Sequence, residues 1–166
     1  MHPRRLRRLQ GFSYTGPNRY SLTICACERR PLFENAALAE CVRTQILRAA
    51  STGGYIVIAY CIMPDHVHLL VEGDDGCAPL AVFLKRAKQY SGFYGKKIIG
   101  EAVWQSGYFE RVLRENEDTR TVVAYILDNP VRRGLVENAR DYPLSGSGRY
   151  AMSDLVDIVQ IAQRQT

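Results

Sequence analysis

The chain is short of lysine, histidine and tryptophan, and each shortage narrows what it can be. Of its 22 basic residues only Lys85, Lys88, Lys96 and Lys97 are lysines, and the other 18 are arginines. The planar arginine fork grips phosphate bidentately and stacks on flat rings, which a lysine ammonium does poorly. With a formal net charge of +5 and a pI near 9.0, the composition fits a phosphate-bearing partner without demanding one. No apolar run approaches the length a helix needs to cross a bilayer, so no membrane association is expected. The five cysteines are odd in number and none forms a Cys-x-x-Cys pair. Reduced thiols in a cytoplasmic protein are the expectation. Cys25 and Cys27 alternate on a predicted strand; metal ligation is open to them, and burial as core thiols is the commoner fate of free cysteine. The first residues, Met-His-Pro-Arg-Arg-Leu-Arg-Arg, do not form an apolar leader.

What is present reads as one globular domain. The 166 residues are 46% hydrophobic and 23% charged, enough to bury a core without cross-links. Residues 1–18 are basic, then broken by Gly and Pro, and read as an arm. Arg19–Cys27 alternates and is rich in β-formers, which predicts a strand. Asn35–Ala50 carries apolar residues at helical spacing. Tyr55–Ile62 is a near-continuous apolar strand, joined through Met63-Pro64-Asp65 to a second strand, His66–Glu72. Pro79 to about Tyr94 predicts a basic amphipathic helix. Trp104–Leu113 predicts an extended segment. Thr119–Asn129 predicts a helix opened by Asn116-Glu117-Asp118 and stopped by Pro130. Residues 141–166 form a tail rich in Gly, Ser and Pro at its start, with a short helix over Ala151–Gln163. The order β-α-β-β-α-β-α implies an α+β fold: a ferredoxin-like antiparallel sheet with helices packed on one face.

Two of only three histidines, His66 and His68, flank Val67 on one predicted strand. Residues i and i+2 of a strand share a face, so the two imidazoles stand side by side as half of a divalent-metal site. On the helix that follows, Tyr125 and Asn129 lie one turn apart on one face. Asn129 offers an amide oxygen, a hard ligand for Mg²⁺ or Mn²⁺. A cation held by His66, His68 and Asn129 would polarise a phosphodiester, and Tyr125 would attack phosphorus to give a covalent intermediate. The metal, a nearby Arg or a base has to favour the phenolate. Asp128 is close in sequence, and a solvated helix residue explains it as well.

These residues carry a resemblance. His66-Val67-His68 resembles the His-hydrophobe-His signature of the HUH endonucleases. Tyr125-Ile126-Leu127-Asp128-Asn129-Pro130-Val131-Arg132-Arg133-Gly134-Leu135-Val136 resembles the hallmark of REP-associated tyrosine transposases. Met63-Pro64-Asp65-His66-Val67-His68 and Trp104-Gln105 with Tyr108-Phe109 are also similar to that family, in the expected order over about residues 10–150. The resemblance implies the HUH endonuclease fold over residues 19–140, Tyr125 as the single nucleophile, and His66, His68 and Asn129 as ligands of Mg²⁺ or Mn²⁺. It implies nicking of single-stranded DNA at palindromic REP hairpins, with a 5′-phosphotyrosine and a free 3′-hydroxyl. The chain departs from the family after Tyr142-Pro143, where Leu144-Ser145-Gly146-Ser147-Gly148 replaces a Trp and a Ser pair.

The basic residues have two readings each. Residues 1–50 hold nine arginines against three glutamates, a local balance of +6. Arg4, Arg5, Arg7 and Arg8 are a phosphate-binding arm or a solvated tail. Lys85, Arg86 and Lys88 are a solvated helix face or the wall of a single-strand groove, with Tyr90, Phe93 and Tyr94 available for stacking. Arg132 and Arg133 follow the nucleophile and are expected to meet phosphate. Trp104 anchors the core or stacks on a base, and the core is the better fit. Two rivals stay open. One is a domesticated DNA-hairpin binder that no longer cuts; the other is a zinc-stabilised domain using the histidines and two cysteines. The sequence leaves open whether the protein is a monomer or a homodimer, and whether Tyr125 serves its own subunit.

Overall fold

The computed structural model describes Ser13 and residues 16–164. Arg4, Arg5, Arg7 and Arg8 lie outside the described residues. The elements are β1 (Arg19–Cys25), α1 (Ala36–Thr52), β2 (Tyr55–Met63), β3 (His66–Gly73), α2 (Leu80–Ile99), β4 (Phe109–Val112), α3 (Thr119–Arg132), β5 (Ser145–Gly146) and α4 (Met152–Arg164). The strands form one sheet in the order β4-β1-β3-β2-β5, with every neighbouring pair antiparallel. The first four strands interleave as two split βαβ units, the ferredoxin-like arrangement. No helix among the described residues is long and apolar enough to cross a membrane.

Alternation along the strands builds the layers. Tyr20, Leu22 and Ile24 of β1 and Val67, Leu69 and Val71 of β3 face α1 and α2 and bury almost completely there. This is the helix layer expected from sequence. The other face is covered as well: Ala59, Cys61 and Met63 of β2 and Leu70 of β3 pack under Val122, Val123, Ile126 and Leu127 of α3 and Leu155 and Val159 of α4. A bulge between Val57 and Ala59 turns both Ile58 and Ala59 toward this second layer.

Three departures have local causes. The helix α2 runs past Tyr94 to Ile99, and Gly95 lets it pass close to α1: a Cβ there would meet Val103 at 2.7 Å and Leu38 at 2.8 Å. The helix α3, expected to end at Asn129, continues through Pro130 to Arg132. Proline cannot donate to the Ile126 carbonyl and crowds it, and the turn closes tightly behind it. Gly134, at φ 70°, donates to the Val131 carbonyl, and Leu135 donates to the Pro130 carbonyl, a Schellman closure. The glycine-rich run after Leu144 is an edge segment rather than a loose linker. It adds β5 beside Tyr60 and Cys61, and a Cβ on Gly146 would stand 3.0 Å from the Tyr60 hydroxyl.

Trp104 behaves as an anchor. Its ring packs on Phe33 at 5.2 Å between centroids, and its Nε1 donates to Ser91 Oγ at 2.9 Å. The C-terminal helix contributes Leu155, which is fully buried, to the second core. Leu155→Ala is therefore expected to cost about 2–5 kcal/mol, read as a lowered midpoint in urea denaturation. A change below about 0.5 kcal/mol, the size of an ordinary surface substitution, would mean that α4 does not belong to the folded unit.

Candidate active site

The strand half of the site sits where β1, β3 and β2 run side by side. In register, Cys25 stands opposite His66 and Thr23 opposite His68 on β1, while Met63 and Cys61 stand opposite them on β2. His66 and His68 project to the α3 side of the sheet, with their rings at 4.6 Å between centroids. Their Nε2 atoms converge to 3.0 Å. The far nitrogens are tied down. His66 Nδ1 lies 2.6 Å from Asp65 Oδ1, and His68 Nδ1 lies 3.0 Å from Thr23 Oγ1. A carboxylate only accepts, so His66 carries its proton on Nδ1 and presents a lone pair at Nε2.

The helix half comes from α3. Its apolar stripe is pinned to the sheet, which leaves Tyr125 half-exposed at the border and Asn129 buried one turn further on. The Tyr125 ring meets His68 edge-on at 6.3 Å between centroids. The Arg132 guanidinium lies over the other part of that ring, 4.4 Å from its centroid, a cation–π contact. Asn129 Nδ2 donates to the Tyr125 carbonyl at 3.0 Å, which uses one of its two N–H donors and holds the amide against its own helix.

Electrostatics keep the imidazoles neutral. Burial is the first cause for both, and it holds His66 below its usual value and pushes His68 down to about 4. The second cause for His68 is its neighbour His66; the positive charges of Arg29, Arg132 and Arg133 add to it. With both rings neutral, His66 Nε2 and His68 Nε2 lie within hydrogen-bond distance of each other, and both would be available to a divalent cation once the proton between them is displaced. Among the described residues no three His, Cys, Asp or Glu side chains gather to hold a metal. Cys25 Sγ accepts from Arg29 at 2.8 Å and Cys61 Sγ lies 3.6 Å from Met63 Sδ, so the sulfurs beside the histidines are otherwise engaged.

Of the other residues singled out from sequence, Arg133 joins the site through its field on both histidines. Lys85 and Arg86 are exposed on α2, in the layer on the opposite face of the sheet. Lys88 is only partly exposed. Its ammonium donates to the carbonyls of Gln105 at 2.7 Å and Gly107 at 2.8 Å and ties that segment to α2. Three residues at the site escaped the sequence reading: Thr23, Asp65 and Arg29. Thr23 is signalled only by its register with His68. Asp65 precedes His66 directly, in the connection between the strands and within the Met63-Pro64-Asp65-His66-Val67-His68 stretch, where nothing in the sequence gives it a role of its own. Arg29 comes from the turn after β1, which no linear motif connects to the histidines.

Comparisons with known proteins bear on the family and the fold. Residues 17–129 match the family model described as "Transposase IS200 like". A REP-associated tyrosine transposase of Escherichia coli is 32% identical over 107 residues, 63% of this chain and 61% of that one. A relative from Haemophilus influenzae is 31% identical over 110 residues, 59% of this chain and 62% of that one. The match thus spans about three fifths of the length of these curated relatives. Among solved structures, a REP-associated tyrosine transposase bound to a REP hairpin superposes with a TM-score of 0.68. That match has 21% identity and covers 84% of this chain and 82% of the other, and it supports the fold. Carried by a family model that covers most of its length, the chain belongs to the IS200-like transposase family.

Proposed function

We propose that this protein is a divalent-cation-dependent single-strand DNA endonuclease and strand transferase acting on REP-type hairpins. Tyr125 is its nucleophile, and His66, His68 and Asn129 hold Mg²⁺ or Mn²⁺. The observation that carries the reading is the convergence of His66 Nε2 and His68 Nε2 to 3.0 Å beside the half-exposed Tyr125 ring. The cation, when bound, supplies Lewis-acid polarisation of the scissile phosphate. Tyr125 Oη forms a bond to phosphorus as the bond from phosphorus to the 3′ oxygen breaks. The phenolic proton leaves to solvent, and the departing oxygen takes up a proton to become a 3′-hydroxyl. Arg132 holds the Tyr125 ring from its face, and Arg132 and Arg133 offer charge to the DNA backbone. Lys85 and Arg86 supply positive charge on α2, away from the point of cleavage.

The support from relatives is of a kind with the geometry: the named relative is a REP-associated tyrosine transposase, and the solved one holds a REP hairpin. The deciding experiment mixes the protein with labelled single-stranded hairpin DNA from repeats flanking its own gene, with Mn²⁺, and resolves the products on a denaturing gel. A covalent protein–DNA band is expected. It should vanish with chelator and in Tyr125→Phe, while native-gel binding of the hairpin by Tyr125→Phe stays close to wild type. Hairpin binding with no adduct under any condition would instead establish a non-cleaving binder.

Two further outcomes follow from the geometry. Arg132→Ala should slow adduct formation by about 5–30-fold, the loss of a partly desolvated cation–π contact of about 1–2 kcal/mol. In titrations of metal-free protein, Mn²⁺ affinity should be flat from pH 8 to about 6.5. It should weaken as protons compete first at His66 below its usual value, then at His68 near 4. Affinity already falling between pH 8 and 7 would show that the histidines are not the neutral donors described.

A further inference from the structure

The turn after β1 carries two adjacent residues in the left-handed region, Glu28 at φ 55° and Arg29 at φ 56°. Non-glycine residues adopt this conformation at a cost and keep it only where the surroundings over-determine it. Here the surroundings are the turn between β2 and β3. Ala26 N donates to the Asp65 carbonyl at 2.9 Å, and Phe33 N donates to the Pro64 carbonyl at 2.9 Å. The bent backbone delivers the Arg29 guanidinium into the site. Its Nε lies 3.1 Å from Asp65 Oδ2, and its Nη1 donates to Cys25 Sγ at 2.8 Å. Asp65 thus spans two partners, with Oδ2 on Arg29 and Oδ1 on His66 Nδ1. Asp65 is a turn residue with a part-exposed side chain, and without the arginine little would keep its carboxylate aimed at the imidazole.

We propose that Arg29 is a positioning residue of this site: through Asp65 it fixes the His66 ring with Nδ1 protonated and Nε2 free to bind a divalent cation. The inference rests on the cation-binding reading of His66 and His68 given above. The order is guanidinium, carboxylate, imidazole, cation, and outer partners of metal-binding histidines commonly change affinity by about 10–100-fold. The strain accords with that role. A residue selected to stabilise the turn would be a glycine at this φ, whereas an arginine there gives up stability for the placement of its side chain.

Arg29→Gly separates the two. Glycine relieves the left-handed residue, so the melting temperature should stay the same or rise. Mn²⁺ affinity measured by calorimetry should fall at least tenfold. Arg29→Lys, which keeps a charge for Asp65 but not the fork, should recover part of the loss. Asp65→Asn should weaken Mn²⁺ to a similar extent, and the double variant Arg29→Gly/Asp65→Asn should be no worse than either alone, as for residues acting in one chain. A second readout needs no metal. Nitrogen-15 NMR of the imidazoles should show His66 protonated on Nδ1 in the wild type and a mixture of tautomers in Arg29→Gly. A lower melting temperature with unchanged tautomer would make Arg29 a structural staple and overturn the proposal, as would additive losses in the double variant. If the wild type itself binds no Mn²⁺, the cation reading fails, and the tautomer measurement still decides what Arg29 does.

Discussion

The placement of β3 between β1 and β2 is the constraint on which the rest depends. Seven residue pairs fix it to β1, from Arg19 opposite Glu72 to Cys25 opposite His66. A slip of one residue would turn His66 and His68 into the layer of α1 and α2 and throw Val67, Leu69 and Val71 out of the core. Those three side chains are fully or almost fully buried, and each is worth about 1.5–3 kcal/mol in that position. The imidazoles are therefore held in place mainly by the burial of the apolar residues between them. Their own hydrogen bonds to Asp65 and Thr23 set ring orientation and tautomer, a finer adjustment.

The second face of the sheet is divided, and the division creates the site. Its β2 side is apolar and takes the stripes of α3 and α4. Its β1 and β3 side carries Thr23, His66 and His68. The helix α3 covers the first part and stops at the second, so Tyr125 and Asn129 fall on the boundary. His66, His68 and Asn129 are uncharged there, while Arg29, Arg132 and Arg133 are close enough to act on the imidazoles and the Asp65 carboxylate opposes them at His66.

Much of this was legible in the sequence, and the reasons differ from element to element. The strand pair around Pro64-Asp65 and the facing of His66 and His68 follow from period two alone. Tyr125 and Asn129 share a face by helical period, and both fall in the stretch that resembles the hallmark of REP-associated tyrosine transposases. What could not be read was anything that depends on which elements meet. The helices α3 and α4 lie on the face away from α1 and α2, over Cys61, Met63 and Leu70, where the bulge in β2 sets two successive apolar residues, Ile58 and Ala59. Lys88 read as a groove cation because its carbonyl partners lie seventeen and nineteen residues away. Arg29 was one arginine among many until the backbone of its turn brought it to Asp65.

The edges of the sheet have a consequence of their own. On one side β4 is four residues long and includes Glu110 and Arg111. On the other, β2 is flanked only by the irregular segment around β5. There Ile62 N donates to the Leu144 carbonyl and Gly148 N donates to the Val57 carbonyl. Long, flat, apolar edges recruit strands from other chains and lead to aggregates. This sheet hides its most apolar strand, β2, behind a run of serine and glycine that pairs with it briefly and then turns away. A strongly apolar sheet can thus sit close to its own border without offering a template on which a misfolded chain could grow.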